Sequence, residues 1–112
     1  MDHKNQPFVF NAEVQAKDLG GGVTRKVLGY GDSLMCCELH FEKGAEGALH
    51  QHPHTQCSYV VSGAFEFCID GVKKVVRAGD TLYKLPNVVH GCVCLEAGVL
   101  LDFFTPMRED FV

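Results

Sequence analysis

Twelve glycines cut this chain of 112 residues into short runs rich in Val, Phe, Tyr and Leu, and that spacing constrains the fold more than any other feature. Runs so short suit strands and leave little room for helices. The pattern predicts strands over residues 22–27, 34–41, 48–52, 57–61, 64–69, 72–77, 81–85, 88–95 and 99–104. Asp70-Gly71, between two runs of β-branched and aromatic residues, is a strong two-residue hairpin signal. Gly63, Gly79 and Gly98 predict further turns. Only residues 12–19, ended by three glycines, predict a short helix with a glycine stop. Many short strands in a chain of this size imply a single all-β domain, a sandwich or a small barrel.

Charge and composition narrow the partners. Ten Lys and Arg against 14 Asp and Glu leave a net charge of -4, the wrong sign for a generic binder of nucleic acid. No apolar run approaches the roughly 18 residues of a membrane span. The start Met1-Asp2-His3-Lys4-Asn5-Gln6-Pro7 lacks the apolar stretch of a secretory signal, so a soluble cytoplasmic protein is expected. Six cysteines raise the question of a disulfide scaffold. Cys36 and Cys37 are adjacent, Cys57 and Cys68 isolated, and Cys92 and Cys94 two apart, with no C-x-x-C. They are expected to be reduced thiols that pack as small apolar residues, Cys92 and Cys94 with side chains turned inward.

Chemistry concentrates in His50, His52 and His90. Residues two apart on a strand face the same way, so His50 and His52 project together, and Gln56 shares their parity if Pro53 leaves the register undisturbed. Two imidazoles so placed grip one ion through bonds of about 2.0–2.1 Å, and His90 adds a third from another strand. An isolated H-x-H is ordinarily a pair of surface histidines. Here the flanking glycines also fall into a pattern.

That pattern resembles the cupin family. Gly44, His50-x-His52, Gln56 and Gly63 follow the spacing of its first motif, with Gln56 where Glu is usual. Gly79 and Pro86-Asn87-Val88-Val89-His90 resemble its second motif, more loosely. The resemblance implies a jelly-roll β-barrel over about residues 22–105. It also implies one divalent transition metal ion (Ni, Zn, Fe or Mn) held by His50, His52, Gln56 and His90. A neutral amide at position 56 leaves the charge of such an ion uncompensated, which favours an anionic substrate and a stronger Lewis acid. It also removes the carboxylate of the two-histidine-one-carboxylate iron oxygenases. His54, just after Pro53, is not assigned as a ligand.

The ending sharpens the reading. Asp102 lies within the apolar run Leu101–Phe104, where an uncompensated carboxylate is costly to bury. It shares its parity with Phe104, and Arg108 follows a Thr-Pro break that lets it fold over the mouth. Together with His50-Gln51-His52-Pro53-His54-Thr55-Gln56 and Gly79-Asp80-Thr81-Leu82-Tyr83, the ending Phe104-Thr105-Pro106-Met107-Arg108-Glu109-Asp110-Phe111 resembles the KdgF group of small cupins, the pectin degradation proteins. That resemblance implies ring opening and tautomerisation of 4,5-unsaturated monouronates left by pectin and alginate lyases. Asp102 would move protons, Arg108 would bind the sugar carboxylate and Phe104 would pack against the ring. The expected partners are this small anionic sugar and a second copy of the chain in a homodimer. A cupin dioxygenase and a non-enzymatic sugar-binding cupin are the alternatives; oxygen uptake or binding without turnover would favour them.

Overall fold

The structure is a computed structural model that describes residues 3–112. Met1 and Asp2, the first residues of the polar start, lie outside the described residues. Eight strands form: β1 (Lys17–Gly20), β2 (Val23–Tyr30), β3 (Met35–Phe41), β4 (Glu46–His50), β5 (Thr55–Ile69), β6 (Val72–Arg77), β7 (Thr81–Lys84) and β8 (His90–Thr105). All their pairings are antiparallel. Two short 3-10 turns, Asn11–Glu13 and Glu109–Phe111, are the only helical pieces among the described residues. None is long and apolar enough to cross a membrane.

The long strands β5 and β8 organise everything else. They run against each other from Thr55↔Thr105 to Ile69↔His90, with register shifts between Val60 and Phe65. On the first half of β5 the other neighbour is β7, and on the second half it is β6. Strand β8 divides likewise: its N-terminal end pairs with β4 and its C-terminal end with β3, which carries β2 and β1. Two groups of strands thus share one pair of long, bent strands.

Three sequence expectations need correcting. Residues 57–61 and 64–69 belong to one strand, as do 88–95 and 99–104, apart from Val88 and Val89 before β8 begins. Gly63 and Gly98 therefore mark no turn. They lie where β5 and β8 bend against each other: a Cβ on Gly63 would come 2.6 Å from the Gly98 Cα, and one on Gly98 2.1 Å from the Ser62 carbonyl oxygen. The glycines answer a close backbone approach rather than a chain reversal. The helix expected over residues 12–19 is absent. Lys17–Gly20 is exposed throughout and pairs as β1 with β2, because that segment has no apolar face for a helix to bury.

The Asp70-Gly71 hairpin holds as expected, with both residues at positive φ and Ile69 opposite Val72. Inside, two apolar clusters form. One gathers Val23, Phe41, Val60, Phe65, Leu82, Cys94 and Leu100; the other gathers Val27, Met35, Cys37, Phe104 and Met107. Along β8, Asp102 stands between Leu100 of the first cluster and Phe104 of the second. All six cysteines are free, as expected, and burial pushes the Cys37 thiol up to about 12 and Cys92 up to about 11. Such thiols are poor nucleophiles and poor metal ligands near neutral pH.

Candidate metal centre and its cavity

His50 closes β4 and His90 opens β8, and the two residues face each other in register. His52 lies just past the end of β4 and is 6% exposed, while His90 is 2% exposed. The rings stand 4.4 Å apart for His50 and His90, 5.0 Å for His52 and His90, and 5.6 Å for His50 and His52, measured between centroids. One ring nitrogen from each lies within 4.8 Å of the others.

The opposite ring nitrogens are tied to the backbone. Nδ1 of His50 donates to the Ala48 carbonyl at 2.7 Å, Nδ1 of His52 to that of His54 at 3.2 Å, and Nδ1 of His90 to that of Val88 at 3.0 Å. Each bond fixes a tautomer and aims an Nε2 lone pair inward, the arrangement metal-bound histidines use. The Nε2 of His90 is buried with no partner among the described residues, so the site holds a desolvated lone pair that a cation would satisfy. Burial pushes His90 down to about 4 and lowers His52 as well. Both imidazoles are neutral near pH 7 and ready to coordinate.

Gln56 reaches this cluster by a different route from the one its parity suggested. The chain turns at Pro53-His54, and Gln56 comes in from β5. Its Oε1 lies 2.8 Å from the His52 Nε2, about the separation of two neighbouring ligands bonded to one ion at about 2.0–2.2 Å. The residues fit the expected ion: His50, His52, His90 and Gln56 would hold a divalent transition metal that acts as a Lewis acid toward substrate oxygens. His54 stays outside the cluster. Its carbonyl anchors His52, and its ring packs 5.4 Å from that of His52.

Asp102 is buried at 8% exposure and accepts a short hydrogen bond from the Ser58 hydroxyl, its cross-strand neighbour. Lys84 donates to the same Ser58 oxygen at 2.8 Å, and the Gln56 amide donates to it at 3.3 Å. Burial lowers the pKa of the Lys84 ammonium while the Asp102 charge raises it. Phe104 is 2% exposed and meets His52 edge-on at 5.7 Å. Arg108 folds back as expected, its Cζ 5.1 Å from the Phe104 ring centre and 4.3 Å from that of Phe111. It also has a partner within the chain: Nε and Nη2 grip the Asp110 carboxylate at 3.0 and 2.9 Å.

These side chains line one cavity of about 240 Å³, shared by His50, Gln56, His90, Asp102, Phe104 and Arg108. Three further residues in or behind its wall were given no role from the sequence. Arg25, on β2, sits 3.6 Å above the Phe111 ring and has no hydrogen-bond or ion-pair partner among the described residues. Lys84 lines the cavity and Ser58 lies behind it. A parity signal was available for two of them: Lys84 follows Leu82 inward on β7, and Ser58 lies between Gln56 and Val60 on β5. A larger open hollow of about 560 Å³ beside Gly20, Glu42 and Gly98 contains none of the clustered imidazoles. The chemistry belongs to the smaller cavity.

The cupin domain family matches residues 37–104. The chain is 41% identical over 107 residues to the pectin degradation protein KdgF of Dickeya dadantii (strain 3937), covering 94% of this chain and 97% of that one. The chain is a cupin of the KdgF group. Solved cupins superpose closely on it. An RmlC-like cupin from Shewanella frigidimarina matches at a TM-score of 0.93 and 48% identity, over 96% of both chains. KdgF from Halomonas sp. matches at 0.90 and 36%, over 94% of this chain and 97% of that one. The paired histidines, Gln56 and the C-terminal segment of this cupin are the residues that carried the resemblance in the sequence.

Proposed function

We propose that this cupin is a metal-dependent enzyme that converts 4,5-unsaturated monouronates from pectin or alginate breakdown to their linear keto form. The observation that carries the reading is the meeting of an imidazole–carboxamide cluster, a buried carboxylate and two guanidinium groups around one cavity of about 240 Å³. The likeness to the pectin degradation protein KdgF of Dickeya dadantii, and to KdgF from Halomonas sp., supports it. On this reading the bent strand pairs close into the jelly-roll barrel that the sequence resemblance implied.

The reaction neither gains nor loses atoms. The anomeric hydroxyl gives up its proton, the bond from C1 to the ring oxygen breaks, and C1 becomes an aldehyde. The freed oxygen becomes the C5 carbonyl while C4 takes a proton. Asp102 faces the cavity and is assigned both transfers: accepting the hydroxyl proton and returning one to C4, a role worth typically ~10²–10⁴-fold. Phe104 offers a flat apolar face to the sugar ring. The substrate carboxylate goes to the guanidinium groups. Arg25 has no ion-pair partner among the described residues; Arg108 joins it by exchanging Asp110 for the substrate. An acidic protein thus presents a locally cationic pocket to an anionic sugar.

Two further parts of this reading concern setting. Tyr59, Val61, Tyr83 and Leu85 expose apolar side chains on the outer surface of β5 and at β7, which supports a homodimer; light scattering giving a monomer mass refutes it. Six free cysteines suit a reducing compartment, in line with the cytoplasm. The test of the reaction is the loss of enol-ether absorbance of an unsaturated monouronate with and without protein. Because such sugars open spontaneously, a rate equal to the uncatalysed control refutes the assignment.

A further inference from the structure

The reaction assigned above uses Asp102 and the metal ligands but leaves two buried polar residues idle. Ser58 is fully buried at 0% exposure and Lys84 is buried at 2%. A polar group in such a place is costly unless something compensates it. Their hydrogen bonds give them work.

A hydroxyl has one proton to donate and two lone pairs to accept with. On Ser58, Lys84 Nζ fills one lone pair at 2.8 Å and Gln56 Nε2 fills the other at 3.3 Å. The single proton then goes to Asp102 Oδ1. The count is closed, and it settles two orientations at once. Gln56 must turn its amide nitrogen to Ser58, so its oxygen faces His52 and the metal position. Asp102 must present Oδ1 to Ser58, which leaves Oδ2 as the carboxylate oxygen not engaged by Ser58. Lys84 keeps the direction of the network because an ammonium has no lone pair with which to accept.

We propose that Ser58 and Lys84 are positioning residues that orient the metal ligand Gln56 and the proton carrier Asp102 through one shared hydroxyl, and that this network requires Gln rather than Glu at position 56. In a Gln56→Glu variant the new carboxylate would be an acceptor where the network needs a donor. It would compete with Asp102 for the only Ser58 proton. The Asp102 half of this inference rests on the reaction proposed above; the Gln56 half stands on the metal site alone.

The test titrates the purified, metal-stripped protein with Ni²⁺ alone and then measures turnover at saturating Ni²⁺. Ser58→Ala is expected to weaken Ni²⁺ about tenfold and, once loaded, to lower kcat about 10- to 100-fold with KM within about twofold of wild type. Ser58→Thr, which keeps the hydroxyl, restores most of both. Lys84→Met, similar in volume and uncharged, lowers kcat in the same direction. Gln56→Glu binds Ni²⁺ at least as tightly as wild type yet turns over more slowly; because a carboxylate also tempers the ion as a Lewis acid, the Ser58 variants are what isolate the network from the ligand role. Adding Ser58→Ala to Asp102→Asn still weakens Ni²⁺ but lowers kcat at saturating Ni²⁺ by almost nothing further, because the carboxylate it oriented is already gone.

Wild-type Ni²⁺ affinity in Ser58→Ala, wild-type kcat in Gln56→Glu, or additive kcat effects at saturating Ni²⁺ in the Asp102 double variant each overturn the network. If the wild-type protein binds Ni²⁺, loses affinity on Ser58→Ala and leaves the sugar at its spontaneous rate, the assigned reaction fails and the orienting of Gln56 stands.

Discussion

Along β5 and β8 the inward-facing side chains change character at Val60 and Leu100. Beyond that line lie Phe65 of β5 and Cys94 of β8, with Phe41 of β3 meeting the Phe65 ring edge-to-face at 5.3 Å. On the other side of it Gln56, Ser58 and Asp102 occupy equivalent inward positions on the same two strands, equally buried. Backbone pairing is alike in both halves. What differs at these positions is how burial is compensated: by apolar contact around Phe65 and Cys94, by a closed set of hydrogen bonds around Gln56, Ser58 and Asp102. The division is not complete, since His90 lies at the far end of the first stretch of β8 and Phe104 packs apolar beside the second. Strand parity places a residue inside but does not say which kind of compensation it meets.

That contrast breaks most sharply at Asp102. Asp102→Asn is nearly isosteric and is expected to lower kcat by about 10²- to 10⁴-fold with the melting temperature and bound metal unchanged; a loss of stability that tracks the loss of rate would erase the distinction between the halves. Phe65→Ala is the opposite case. It should cost about 3–5 kcal/mol of stability in denaturant titration while the protein that remains folded keeps its turnover number.

A smaller effect comes from pH. His90 has its pKa pushed down to about 4 by burial, aided by Lys84, His50 and His52. A depressed histidine binds more protons when unfolded, so its contribution is present above about pH 6.5 and is lost as pH falls toward 4. The metal-free protein should therefore lose on the order of 3 kcal/mol over that window, and His90→Gln should flatten the slope measured by thermal melts. Smallest is Arg25→Met, expected to raise KM about tenfold with little change in kcat, because the guanidinium binds the anion without touching the reacting carbons. An unchanged KM would leave Arg108 as the only carboxylate partner.

The sequence was most informative where chemistry is local. The Asp70-Gly71 turn follows from the freedom of two residues to adopt positive φ. The imidazole cluster was legible through the likeness of its spacing to the cupin motifs, since His52 lies beyond β4 and His90 on another strand. It misled where one signal has two causes. Gly63 and Gly98 look like turns, yet they permit two bent strands to touch; nothing short of the pairing itself separates those cases. The expected helix over residues 12–19 failed because helix stability comes from a buried face, and no neighbour covers that segment.

Composition and spacing by themselves determined a strand-rich chain, and the resemblance of its motifs to the cupins supplied the clustered histidines and the role of the acid beside Phe104. Only the tertiary structure decided that Gln56 arrives from β5, that Asp110 occupies Arg108 while Arg25 has no ion-pair partner among the described residues, and that Lys84 and Ser58 converge on Asp102. Those relations join strands far apart along the chain. Their geometry is set by how β5 and β8 bend and pair, which no local pattern encodes.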